Sequence, residues 1–249
     1  MNRQIVPLTL FAIAMGFLES AVVVYLRAIY YPEGFAFPLK IIEGPIAITE
    51  IIREAATVIM LITVSMLAAR HWIIRFAWFI YLFAIWDIFY YVLLWLLLGW
   101  PESLFTWDIL FLIPTTWVGP VLAPLINSVT MIVLAVAIIR VGQMGQVEQV
   151  GQVGQVRRDG RVRMTGLEWG LLIIGSLITM AAYMEDYTRH MLKRFTFIDW
   201  ISLSDTSGIM EHASTYTPTS FNWWLFLAGT LLFFLAIFLF VRRTFPSTK

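Results

Sequence analysis

Cysteine is absent from this chain, histidine occurs three times, and charged side chains make up only 13% of the 249 residues. Without cysteine there can be no disulfide, thiolate metal centre, iron–sulfur cluster or cysteine nucleophile. A net charge of +1 argues against nucleic acid as a partner. The chemical fingerprints are missing too. There is no His-Glu-x-x-His helix and no Glu-x-x-His pair of the di-iron type. Nor is there a Gly-x-Ser-x-Gly elbow or a phosphate-binding glycine loop, so serine-hydrolase and nucleotide-driven chemistry find no support and no catalytic residue is assigned.

What the chain has in excess is apolar sequence: 60% hydrophobic residues, with a mean hydropathy of +0.81. Soluble domains run nearer 45–50% apolar and about 25% charged. Six apolar runs are long enough to cross hydrocarbon, at 5–25, 46–69, 72–98, 119–140, 166–184 and 222–241. The first follows Arg3 and superficially resembles a secretory signal. It is read as a retained span, because it continues for about 20 residues, contains Glu19 and has no clean small-residue cleavage site. The expected fold is therefore all-α: a polytopic membrane helix bundle of about six transmembrane helices, forming one integral membrane domain over 1–249.

Basic residues set the orientation. With the N-terminus inside, 11 of the 17 Lys and Arg residues fall on cytoplasmic segments, which predicts an N-in/C-in chain. The expected location is a prokaryotic cytoplasmic (inner) membrane. Acidic residues run the other way, with 13 of 16 in the outer half or outside.

Four polar side chains interrupt the spans at one depth. Counted along helical rise from each cytoplasmic end, Glu19, Glu54, Asp87 and Asn127 lie about 20–22 Å into a core of about 30 Å. An ionised group there costs about 2.5–3.5 kcal/mol on insertion scales, so it normally faces a partner or a wet cavity. Glu50, Arg53 and Glu54 stand at i, i+3 and i+4 and share one helix face, where Arg53 can pair with either carboxylate. Glu19, Glu54 and Asp87 then leave a surplus of negative charge that must be protonated, hydrated or matched by a cation. Asp87 lies in Trp-Asp-Ile-Phe-Tyr-Tyr, where the hydroxyls of Tyr90 and Tyr91, within one turn on its side, offer the alternative of a hydrogen-bonded structural aspartate. Trp107-Asp108-Ile109 echoes the start of that motif.

Four further segments carry expectations. The stretch 109–140 is too long for one straight helix and contains Pro114, Pro120 and Pro124, which predicts a short helix near 103–113 dipping into the outer leaflet, then a kinked fourth span. Residues 141–163 begin with Val-Gly-Gln-like triplets and are expected to form a low-complexity cytoplasmic linker, its basic cluster at 157–163 resting on anionic headgroups. Thr165 and Glu168 form a capping box that starts the fifth span. In the outer loop 185–221, Met191, Leu192, Phe195, Ile198 and Ile201 recur at helical spacing, which suits an amphipathic interfacial helix, either covering the polar site or anchored in headgroups.

The leading functional expectation is an outward-facing intramembrane site, serving binding or transport, for a cation or a cationic or polyhydroxylated small solute. Its ligands would be Glu19, Glu50, Arg53, Glu54, Asp87 and Asn127. Any metal would be a hard divalent cation (Mg, Ca or Mn), held by Glu19, Glu54 and Asp87 or by the i, i+4 pair Asp186 and His190. A second reading is a membrane enzyme whose carboxylates act as acid and base, or as metal ligands, on a lipid-like substrate. A third is a non-catalytic subunit whose polar residues meet a partner protein within the membrane lipid.

Overall fold

The computed structural model describes residues 4–40, 42, 44–113, 115–151, 162–202 and 205–245, with backbone alone for 144–151 and 201. Pro114 and the basic residues Arg157, Arg158 and Arg161 lie outside the described residues. The chain is an all-α membrane helix bundle. Helices α1 (Ile5–Tyr30), α2 (Gly44–Ala68) and α3 (Trp72–Leu98) precede a two-stranded hairpin, β1 (Trp107–Phe111) and β2 (Trp117–Pro120). Then follow α4 (Leu122–Gly151), α5 (Gly166–Met191), two short helices α6 (Phe197–Ile201) and α7 (Thr206–Ala213), and α8 (Trp223–Thr244). Six of these helices are long and apolar enough to span a membrane.

α3 is the central post. It packs against α1, α2 and α4, while α5 and α8 form the tightest pair. Lipid gives apolar helices little hydrophobic reason to associate, so close backbone approach at small residues matters more. Ala12, Gly16 and Ser20 supply it on α1: a Cβ on Gly16 would come within 3.1 Å of the Trp86 carbonyl oxygen. Ser20 Oγ donates to the Gly16 carbonyl at 2.8 Å and lies 3.1 Å from that of Tyr90 on α3. The α5–α8 crossing is tighter still, since a Cβ on Gly229 would meet the Gly175 carbonyl oxygen at 2.8 Å.

At the end of the bundle shared by the start of α1 and the end of α8, Thr165 and Glu168 form the expected capping box. Glu168 is there enclosed by donors: Thr165 N at 2.7 Å, and Arg243 through Nε at 3.0 Å and Nη2 at 2.9 Å. Above it lies the main apolar core, with Trp78, Leu134, Ile138 and Phe240.

The segment before α4 turns back toward the bundle, but not as the helix expected near 103–113. Ser103 N and Thr106 Oγ1 form a turn at 3.1 Å, and β1 then pairs antiparallel with β2, Trp107 opposite Pro120. Trp107, Ile109 and Phe111 favour extended backbone, and strand pairing satisfies amides that would otherwise be exposed at depth. Pro120 closes β2 and Pro124 falls in the first turn of α4, where an amide has no intrahelical partner anyway. Pro120 and Pro124 thus set a strand-to-helix junction rather than a kink within the span.

Two other segments differ from expectation in detail. α4 continues through the first triplets of 141–163 as far as Gly151. On the opposite face, Met191 is the buried last residue of α5 rather than part of an interfacial helix. Thr196 then accepts the Asp199 amide and starts the separate five-residue α6, whose Phe197 and Ile198 are exposed. A local cap at Thr196 outweighs the helical spacing that continues through it.

Candidate functional site

At the hairpin end of the bundle a gap lies between α1 and α2, which both pack on α3. β1 and the 31–42 connection fill part of the gap and leave a cavity of about 250 Å³. Helical periodicity decides what faces it. α1 contributes Glu19, Val23, Leu26 and Arg27; α2 contributes Glu50, Arg53 and Glu54; α3 contributes Phe83, Trp86, Asp87, Tyr90 and Tyr91. Five carboxylates line the space, Glu19, Glu50, Glu54, Asp87 and Asp108, against the three cations Arg27, Lys40 and Arg53. With all of them ionised, two negative charges remain unmatched.

Arg53 does not pair with Glu54. Its Nε donates to Glu50 at 2.8 Å and its Nη1 reaches across to Glu19 on α1. Glu54 instead accepts the Leu112 amide at 3.1 Å, which ties α2 to the hairpin. Asp87 accepts Ser128 Oγ from α4 at 2.7 Å, not the two tyrosines of its motif. Those hydroxyls serve Asp108, Tyr90 from 3.4 Å and Tyr91 beside it. Arg27 lies 3.6 Å from Asp108, with its guanidinium 3.7 Å from the Trp100 ring centroid and 4.6 Å from that of Phe35. Burial pushes the Asp108 carboxyl up to about 6, against the opposing pull of Arg27.

The structure brings together five of the six ligand residues proposed from sequence: Glu19, Glu50, Arg53, Glu54 and Asp87. Asn127, grouped with them by counted depth, faces elsewhere, its Nδ2 donating to Tyr183 on α5 at 2.9 Å. Asp186 and His190 are each engaged elsewhere. Asp186 accepts Tyr216 Oη at 2.8 Å and Thr219 N at 3.0 Å, while His190 stacks on His212 with ring centroids 4.3 Å apart. Among the described residues no group of three or more His, Asp or Glu side chains is arranged to hold a metal ion. Neither α6 nor α7 lines the cavity; Phe35, Leu39 and Lys40 do, from the 31–42 connection. No protein family, curated protein or solved structure matches the chain. Its reading therefore rests on its own geometry.

Asp108 and Arg27 are the residues that sequence reasoning passed over. The signal for Asp108 was present: both aspartates of the repeated Trp-Asp-Ile triplet line this cavity.

Proposed function

We propose that the cavity is an outward-facing intramembrane site that binds a cationic or polyhydroxylated small solute, for uptake or for sensing. One observation carries the reading: a cavity large enough for a small molecule holds two more carboxylates than cations. Among the described residues Glu54 and Asp87 each accept a single hydrogen bond, although a carboxylate has room for about four. An ammonium or several hydroxyls would supply the missing donors. Lys and Arg are concentrated at the other end of the bundle, which supports an outer position for the cavity.

The test is ligand-dependent stability of purified protein. A molecule that binds only the folded state stabilises it by RT ln(1 + [L]/Kd), about 2.7 kcal/mol at a hundredfold excess over Kd. Amines, amino alcohols, polyols and Mg²⁺, Ca²⁺ or Mn²⁺ should be titrated against thermal unfolding of the wild type and of the Glu54→Gln/Asp87→Asn variant. At least one class should stabilise the wild type and lose its effect in the variant. Equal responses throughout would overturn the proposal.

A further inference from the structure

The walls of the cavity are not equally secure. α1 and α2 each pack on α3 but scarcely touch one another. The hairpin is tied to α2 by the Leu112–Glu54 hydrogen bond and to α1 through Arg27 and Asp108. Leu39 N lies 3.4 Å from the Tyr216 carbonyl, anchoring the connection above the cavity to the outer loop. The α1–α2 seam is bridged chiefly by one side chain, Arg53, held by Glu50 on its own helix and reaching Glu19 on the other. Leu18 and Ile52, the neighbours in sequence of Glu19 and Arg53, are about 60% exposed on spanning helices.

The interior adds a second observation. Trp86 forms part of the cavity wall and of the apolar cluster with Ala12, Met15 and Leu61. It is only 7% exposed, and its buried indole N–H has no acceptor among the described residues. Such an orphaned donor costs about 1–3 kcal/mol. The cavity therefore wants donors at Glu54 and Asp87, and its wall contains an indole N–H still without an acceptor among the described residues. A hydroxyl gives and accepts at once, and an ammonium supplies further donors. Val23, Leu26, Phe83 and Phe111 cover much of the remaining wall with apolar surface.

Resting on the reading of the cavity as a cation site, we propose that its ligand is a membrane-dissolved amphiphile with an amino-alcohol head, entering sideways between α1 and α2. The ligand's ammonium replaces the Arg53 guanidinium against Glu19, so the seam opens by exchange of one cation for another. No carboxylate is stranded in low dielectric during that exchange, which would otherwise be its main cost. The head then meets Glu54 and Asp87, while the alkyl chain remains between the helices.

The absence of cysteine makes this directly testable. Val23→Cys, in lipid nanodiscs, is treated with a long-chain maleimide dissolved in the bilayer or with an impermeant sulfonated maleimide. Protection is measured with a long-chain 2-amino alcohol, its uncharged N-acetyl derivative, and water-soluble 2-aminoethanol. The expected result is labelling at least tenfold faster from the bilayer, faster again with Arg53→Gln, and blocked by the long-chain amino alcohol but not by its N-acetyl derivative. Faster labelling by the impermeant reagent, blocked as well by 2-aminoethanol, would overturn lateral access yet leave the cation site standing. Labelling that no amine blocks would overturn both. Leu26→Cys, on the same wall, gives the same reading if Val23→Cys does not fold.

Discussion

Glu168 and Glu54 are both buried glutamates on apolar helices, 2% and 8% exposed, yet their surroundings are opposite. Glu168 has Arg243 on both oxygens and the Thr165 amide besides, so its charge is matched and its lone pairs are largely used. Glu54 accepts one backbone amide, and the cation on its own helix face is already held by Glu19 and Glu50. The same contrast separates the two halves of the bundle. The α5–α8 side closes on itself through reciprocal glycine contacts, whereas the α1–α2 side encloses unmatched carboxylates around a space. A buried charge that is fully paired holds structure together; one left short of donors beside a cavity is available for something else.

The sharpest way to break this contrast is at the tight crossing. Gly229→Val would drive a side chain into the Gly175 carbonyl and Thr179, both under 3 Å from an added Cβ. The expected loss is about 3 kcal/mol or more, read as a collapse of the monodisperse fraction on size exclusion. Next, Arg243→Ala leaves Glu168 unpaired. Because Arg243 is itself half-exposed, we expect about 2 kcal/mol rather than the larger loss typical of fully buried pairs. Adding Glu168→Gln should restore part of it. The sign should reverse at the cavity: without ligand, Glu54→Gln/Asp87→Asn should be as stable as the wild type or more so, by up to about 1 kcal/mol. A marked loss of melting temperature in that variant would mean that these carboxylates are structural after all, like Glu168.

The last effect is confined to a pH window. Asp108 outside the spans has a carboxyl raised from 3.8 to about 6 by burial. Between those values the folded protein retains a proton that the unfolded chain has released, so stability falls as pH rises through this window and levels off above it. Asp108→Asn should remove that part of the decline, on the order of 2 kcal/mol at most. Melting temperatures of both proteins at pH 4.5 and pH 7 measure it. An unchanged difference would show that Arg27 and the tyrosines keep Asp108 ionised throughout.

The spans were legible because lipid imposes a length and a composition on anything that crosses it. Depth was counted from the fixed rise of a helix, and the three carboxylates it grouped, Glu19, Glu54 and Asp87, all line one cavity. Depth is only one coordinate. Asn127 has the same counted depth but faces Tyr183, because rotation about the helix axis depends on packing partners that hydropathy does not encode. The hairpin was missed for a different reason. Trp-Asp-Ile-Leu-Phe suits a short buried helix as well as a strand, and only its pairing with β2 decides between them. Asp108 was lost along with it. The glycine crossings left a faint mark: isolated glycines in apolar runs that gain meaning only once two helices are known to meet.

The hairpin holds α1 at Asp108 and α2 at Leu112, four residues further along. Mechanically it is a rocker with a grip on each helix. If Glu54 swings toward an occupant, it must either release Leu112 or pull the strand with it, and a pulled strand tilts Asp108 against Arg27. Arg27 is clasped by Trp100 and by Phe35, which belongs to the 31–42 connection. Were the cavity occupied as proposed, a displacement at Glu54 would have a short path to the 31–42 connection that no spanning helix need move to provide.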